Sequence, residues 1–485
     1  MNNIGLLLLP SILAIIVLPW IANRKGAAYL SALLATLGFV IAAYFSYRMY
    51  HNSQPLFFAY HWLIYDKLSA FFILLNAFIG MTTSYYAISY LLNEDITHLH
   101  PLIYRFYHTG YHLFILSMLV VLLSNNIGIM WIAMELATIS SVVLVGLYQT
   151  PQALEAAWKY LILCGVGIGF ALLGTVILYF GASTQHLGSE GLLWTNLIKI
   201  TPLIPPKLLA ISFVFLFVGY GTKVGFVPLH NWLPDAHAEG PAPISALLSG
   251  LLLNVALFAL LRFKWMLSDT SIHYLPSILL ITFGFIGVLF AALSLFRQRQ
   301  LKRLFAYSSI EHLGLISIAF GIGSPLALFA GLLHVLMHSL SKTAAFFMCG
   351  NVMQTTHTQT ISKIRGLFQQ TPLTAILLLI SILAIMGLPP SGLFVSELLL
   401  ILATLKFNLW LLIPLVLGLV LAFLAILLKC QPLFFSNTTQ TPLPLQTRSN
   451  RYWPAALHLL LVILAGIFVP AFLIAPVVHT VAGVL

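Results

Sequence analysis

The chain has 485 residues, of which 60% are hydrophobic and only 7% carry a charge. Soluble domains carry about 25% charged residues, so this composition excludes one and calls for many apolar spans of about 20 residues each. The net charge of +11 does not make a nucleic-acid surface, because the basic residues are scattered over many loops and not gathered into one groove.

Fourteen spans are predicted, at roughly 4–22, 28–48, 67–92, 110–124, 127–147, 157–181, 207–230, 243–263, 275–296, 302–322, 326–351, 373–404, 408–429 and 455–482. The fold class is therefore an all-α polytopic membrane protein, with connections too short for a soluble catalytic domain. Loops after odd-numbered spans hold twelve Lys and Arg residues, including Arg105, Lys302, Arg303, Arg448 and Arg451. Loops after even-numbered spans hold seven, including Arg262 and Lys264. The positive-inside rule then makes the odd loops cytoplasmic and puts both termini outside a bacterial inner membrane. The opening MNNIGLLLLPSILAIIVLPW has no basic leader and is expected to stay as the first helix.

Asp66 opens the third span, where an acid caps a helix and suits its dipole. The following loop, 92–109, is polar and holds His98, His100 and His108. No pair there has metal-ligand spacing backed by an acid, so a solvated loop is expected. In the fifth span Glu135 lies eight residues past Ile127, about 12 Å along a helix at 1.5 Å per residue. At that depth it is either paired with a base on another helix or neutral and bonded to a neighbouring backbone or hydroxyl. Lys159, in the sixth span, follows Glu155 at the spacing of a helical ion pair, either interfacial or on a transport route. Gly165, Gly167, Gly169 and Gly174 let another helix come close.

The seventh span is interrupted. GYGTKVGFVPLHNWLPDAHAEGPAP places Lys223 among Gly219, Gly221 and Gly225, ahead of Pro228 and Pro234, so a continuous helix is not expected. An intramembrane lysine beside a helix break marks an ion pathway, the alternative being a lysine that snorkels to the interface. The loop that follows carries His230, Asp235, His237 and Glu239, and the eighth span has Asn254 as its one strongly polar interior residue. The tenth span holds Glu311 and His312, which as neighbours point about 100° apart. In the eleventh, His334, His338 and Lys342 recur every four residues on one helix face. Such a row is a candidate proton wire, since imidazole both accepts and donates near neutral pH. A polar helix seam is the alternative, and a metal site is disfavoured by the absence of acids nearby. The twelfth span is broken as well, by Gly387, Pro389, Pro390 and Gly392, with Glu397 on its second half. Two broken helices five spans apart point to an inverted repeat of spans 4–8 and 9–13. That gives an N-terminal region over residues 1–109, repeats at 110–263 and 264–430, and a C-terminal region over residues 431–485. Cys164, Cys349 and Cys430 fit neither zinc nor iron–sulfur spacing. No cofactor and no metal is expected in this chain.

GTKVGFVPLHNWLPDAHAEGPAPISALLSG, the Glu135 segment, HVLMHSLSK and GLPPSGLFVSE together resemble the antiporter-like membrane subunits of respiratory complex I and its relatives. EAAWKYLILCGVGIGFALLGTVILYF, RQRQLKRLFAYSSIEHLGLI and SGLLLNVALFALLRF are most similar to the branch of hydrogenase-4 component F and the group 4 membrane hydrogenases. The resemblance covers about residues 60–405. It implies that Glu135 pairs with Lys223, that Lys159, His334, His338 and Lys342 continue the relay, and that Glu397 stands in an exit half-channel. It further implies a proton-translocating, non-redox subunit of an oxidoreductase complex, driven by other membrane subunits and a peripheral redox module. Related subunits often have lysine where this chain has Asn254, so Glu311, His312 and water are expected to bridge from Lys223 to the eleventh span. The rival functions are a sodium/proton antiporter, the membrane subunit of an inorganic-carbon-accumulating complex with a zinc-enzyme partner, and a non-transporting scaffold.

Overall fold

The computed structural model describes residues 3–51, 54–94, 101–184, 188–436 and 452–482, with the side chains of 101–105 and 481–482 left aside. Among them the predicted all-helical membrane architecture holds. Eleven helices are long and apolar enough to cross a membrane, or twelve if one bent pair counts as a span. The predicted spans 4–22 and 373–404 are built from shorter pieces.

Helices α1 (Leu9–Val17) and α2 (Arg24–His51) open the chain, followed by a small antiparallel hairpin of β1 (Leu56–Phe58) and β2 (Leu63–Tyr65) with Leu56 opposite Tyr65. Asp66 caps α3 (Lys67–Asn93) by accepting from the Ser69 amide at 2.8 Å, the role its position predicts. Next come α4 (Pro101–Leu123) and α5 (Ile127–Val145), parted only by residues 124–126. Asn126 makes so short a break workable, because its side chain accepts from the amides of Gly128 and Ile129. Thr150 caps α6 (Pro151–Ser183), with proline at the first helical position, where a missing N–H costs nothing.

The short α7 (Trp194–Ile200) leads to α8 (Pro206–Val224), which Gly225 ends in the left-handed conformation at φ 87°. After the break, α9 (Trp232–Glu239) precedes α10 (Ala242–Leu247) and α11 (Leu253–Met266), which a π turn at Leu248–Leu252 joins into one span. The chain continues through α12 (Tyr274–Leu295), α13 (Leu301–Ile322) and α14 (Pro325–Thr356). The short α15 (Leu367–Gln370) precedes the second broken span, α16 (Pro372–Ile385) and α17 (Gly392–Phe407). It ends with α18 (Leu409–Phe435), α19 (Trp453–Ile467) and α20 (Ala471–Ala482), the last two bent by 72°.

Burial is graded across the bundle. Span 242–266 is enclosed on every side and α13 and α14 nearly so, whereas α2 and α18 turn apolar side chains outward, as lipid-facing helices do. Helices α6 and α8 approach closely through small residues. A Cβ on Gly219 would overlap the Ala171 backbone, and Ser212 Oγ donates to the Gly174 carbonyl at 2.7 Å. Of the four glycines on α6 expected to do this, Gly167 and Gly174 do, while Gly165 and Gly169 face open space.

Three expectations are corrected. His108 is no loop residue, because α4 begins at Pro101 and buries it; His98, His100 and the Arg105 side chain lie outside the described residues, as do Arg448 and Arg451. Lys302, assigned to a loop, is buried in the first turn of α13 and donates to the Gly240 carbonyl at 2.6 Å. Arg262 and Lys264 are likewise buried, in the last turns of α11, because neighbouring segments cover that helix end.

Candidate functional site

The first helix break brings three elements around Lys223. The left-handed Gly225 stops α8, which frees carbonyls at the helix end. Trp232 Nε1 takes up the Thr222 carbonyl at 2.8 Å, and the Phe226 amide donates to Gly221. Trp232 stacks on Tyr160 of α6, their centroids 4.5 Å apart, and Lys223 Nζ lies 5.2 Å from the centroid of the same tyrosine ring. The fully buried ammonium thus meets a cation–π face and donates to Thr138 Oγ1 on α5. The Thr138 hydroxyl in turn lies 3.3 Å from Glu135 Oε2, with the Met134 carbonyl at 3.2 Å as its other acceptor. Glu135 and Lys223 therefore meet through a hydroxyl, and Glu135 is only half-buried in this chain.

Lys159 stands apart from this group. It is half-exposed, 2.6 Å from Glu155 and 3.3 Å from Asp235 of α9, whose other oxygen takes Arg303 of α13 at 2.6 Å. His230, at the break, packs edge-on to Phe290 at 4.8 Å, and its Nδ1 has no hydrogen-bond partner.

The span Ala242–Met266 packs between α8 and α14. Its π turn leaves the Gly250 carbonyl to two side chains, Asn254 Nδ2 at 3.1 Å and Ser339 Oγ of α14 at 2.7 Å. Asn254 also donates to Ser339 Oγ at 2.9 Å, and its buried Oδ1 is without a partner. π turns recur at functional sites.

On α14, His334, His338 and Lys342 all face α13. Lys342 Nζ donates to the Phe305 carbonyl at 3.1 Å, and the His312 ring lies 5.3 Å from that of His338. His312 Nδ1 is 2.9 Å from His334 Nε2, and His334 Nδ1 is 2.9 Å from Ser396 Oγ on α17. Ser396 Oγ also lies 2.8 Å from the Leu393 carbonyl, and with its proton directed there it accepts from His334 Nδ1–H. In that tautomer His334 Nε2 accepts from His312 Nδ1–H. Glu311, one residue back, lines a cavity of about 210 Å³ with Glu397, Leu419 and Phe423. Glu397 lies against Gly387, at φ 66° in the second break, where a Cβ would overlap its carboxylate.

One premise of the sequence reading is overturned here. The histidines do have an acid nearby: a nitrogen of His312, a nitrogen of His334 and an oxygen of Glu397 all lie within 4.8 Å of one another.

Several participants went unrecognised in the sequence. Thr138 lies three residues after Glu135, on the same helix face, and Ser396 is next to Glu397; those spacings were the available signals. Asp235 and the Arg262–Asp66 pair, 2.6 Å apart, join segments distant in sequence and left no local trace.

A helical bundle with two broken helices framing buried lysines, histidines and carboxylates is the architecture of an antiporter-like membrane subunit. Residues 124–424 match the family described as NADH:quinone oxidoreductase/Mrp antiporter, TM, and the chain belongs to it. It is 44% identical over 472 residues, 97% of each chain, to a hydrogenase-4 component F homolog of Methylacidiphilum infernorum (isolate V4). It is 29% identical over 352 residues to NADH-quinone oxidoreductase subunit N of Desulforudis audaxviator (strain MP104C), covering 72% of this chain and 67% of that one. A chain in the structure of the membrane-bound sulfane sulfur reductase, an archaeal respiratory membrane complex, superposes over its full length with a TM-score of 0.90 at 25% identity. The resemblance carried by the sequence motifs is thereby borne out.

Proposed function

We propose that this chain is the proton-translocating, non-redox subunit of a multisubunit bacterial membrane complex of the hydrogenase-4 or complex I kind. The observation that carries the reading is the set of titratable groups inside the bundle linked across helices: buried Lys223 with Thr138 and half-buried Glu135, and buried His312 with His334 and Ser396. Buried ionisable groups in membrane spans are costly and are retained where ions move. Lys223 passes between states as neighbouring charges alter its contact with Glu135 through the Thr138 hydroxyl. Asn254 holds the π turn between α8 and α14, and Glu397 opens toward the cavity it shares with Glu311. His230, His338 and Lys342 complete the path, and Lys159 holds α6 to α9 beside it.

In this reading spans 4–8 and 9–13 are inverted repeats, both termini are periplasmic, and a peripheral redox module supplies the energy through adjoining membrane subunits. The chain itself holds no redox cofactor. The test is proton uptake by sealed vesicles carrying the native complex, wild type against Lys223→Ala, with electron donors tried in turn and with or without sodium. Lost uptake in an intact complex supports the axis. Sodium-dependent exchange without a donor would favour the antiporter, and undiminished uptake would reduce the chain to a scaffold.

A further inference from the structure

We propose that His312, His334 and Glu397 form a binding site for a divalent transition-metal cation of the zinc class, with the cation replacing the proton that the two histidines share. One ligand atom from each residue already lies within 4.8 Å of the other two. Tetrahedral zinc, with bonds of about 2.0–2.2 Å, needs its ligand atoms about 3.3–3.5 Å apart, so modest side-chain rotation closes the site. Two imidazoles and one carboxylate are the donor set zinc takes when a fourth position stays open.

Further features point to a ligand. Both nitrogens of His338 are buried without a hydrogen-bond partner. The His338 ring, 5.3 Å from that of His312, offers a donor for the fourth position. The Ser396 hydroxyl, 2.9 Å from His334 Nδ1, holds that ring with Nε2 toward the cluster, as an outer hydrogen bond orients a metal-binding imidazole. The cavity of about 210 Å³ reaches Glu397 and gives a cation room to arrive. Glu311 on its wall adds a second carboxylate, so a doubly charged ion need not be buried uncompensated.

Binding goes beyond the proposed function and does not depend on it; that a bound cation stops proton transfer does rest on that reading. A cation between His312 and His334 leaves no proton between them to pass on.

The test measures Zn²⁺ bound per chain in the purified, assembled complex by equilibrium dialysis, with Co²⁺ as an optical probe of coordination. Wild type is expected to hold one Zn²⁺ more than His334→Asn or Glu397→Gln, and to give a Co²⁺ visible band that both variants lose. Should either variant fail to assemble, His312→Gln takes its place. Ser396→Ala, which removes only the support of His334, is expected to keep the stoichiometry and weaken binding about 10- to 100-fold. Equal Zn²⁺ content and affinity in wild type and the ligand variants would overturn the proposal. Proton uptake is followed in the same samples: Zn²⁺ held at the site with uptake undiminished would leave the site standing and remove these histidines from the proton path.

Discussion

Replacing Thr138 by valine tests the hydroxyl between Lys223 and Glu135. Valine keeps the branched shape of threonine, so packing around α5 is preserved while the acceptor for Lys223 Nζ and the donor to Glu135 Oε2 both vanish. A hydrogen bond to a charged group contributes about 1.5–3 kcal/mol. Lys223 is fully buried, so bulk solvent does not reach this contact. If that contact lies on the transfer path its whole loss is felt in the barrier, and at 1.36 kcal/mol per decade the rate falls about 10- to 150-fold. The assay is initial proton uptake in vesicles of the native complex, with electron transfer recorded in parallel to show that the redox module is intact. Thr138→Ser restores the hydroxyl and should recover most of the rate. Uptake within twofold of wild type in Thr138→Val, or a serine variant no better than valine, would refute the relay.

The remaining predictions concern how the bundle holds its site. Arg262→Met strands the Asp66 carboxylate and should cost about 3–5 kcal/mol in thermal or denaturant unfolding, because breaking a buried pair leaves one charge uncompensated. Adding Asp66→Asn, which keeps the cap on α3, should recover much of the loss, and strictly additive effects would count against the pair. Burial raises the Asp66 carboxyl, but the Arg262 guanidinium and the Ser69 amide outweigh it and hold the group below the usual carboxylate range. Its contribution is therefore fully present above the unfolded value and is lost as pH falls through the folded one, so acid should narrow the difference between wild type and Arg262→Met. Gly219→Ala should destabilise by about 1–3 kcal/mol through overpacking against Ala171, while Gly169→Ala, facing open space, should leave the unfolding temperature unchanged. Gly387→Ala forces a Cβ into the Glu397 carboxylate at a left-handed position and should slow proton uptake in an assembled complex, with Gly165→Ala as the neutral control.

What the sequence discloses follows from what is local. Counting residues from a span's edge is enough to put Glu135 well inside its helix, the glycines around Lys223 mark it beside a break, and a four-residue repeat is enough to align His334, His338 and Lys342. The glycines and prolines announce both helix breaks. Partnership across helices is a different matter. Nothing near Lys223 in sequence names Thr138, and nothing near Asp235 names Arg303. Charges near span ends were misplaced for a related reason: Lys302, Arg262 and Lys264 look interfacial by depth, but other segments cover those helix ends and bury them. The π turn before Asn254 is invisible to hydropathy, since it changes hydrogen-bond spacing without changing composition. His112 and His458 belong to no local motif, yet they tie helices together through Ser31 at 3.0 Å and Thr82 at 2.8 Å.

Asp235 has a consequence for the electric field inside the bundle. With Glu155, Lys159 and Arg303 it forms a quartet of alternating sign whose formal charges cancel, and which fastens α6, α9 and α13 around the first break. A lone aspartate in that place would pull on distant cations with the slow decay of a monopole. A neutral quartet acts only as a multipole, whose influence falls off faster with distance than that of a single charge. The helices are thus clamped by ionic contacts that leave the buried lysines to respond to the charges that move.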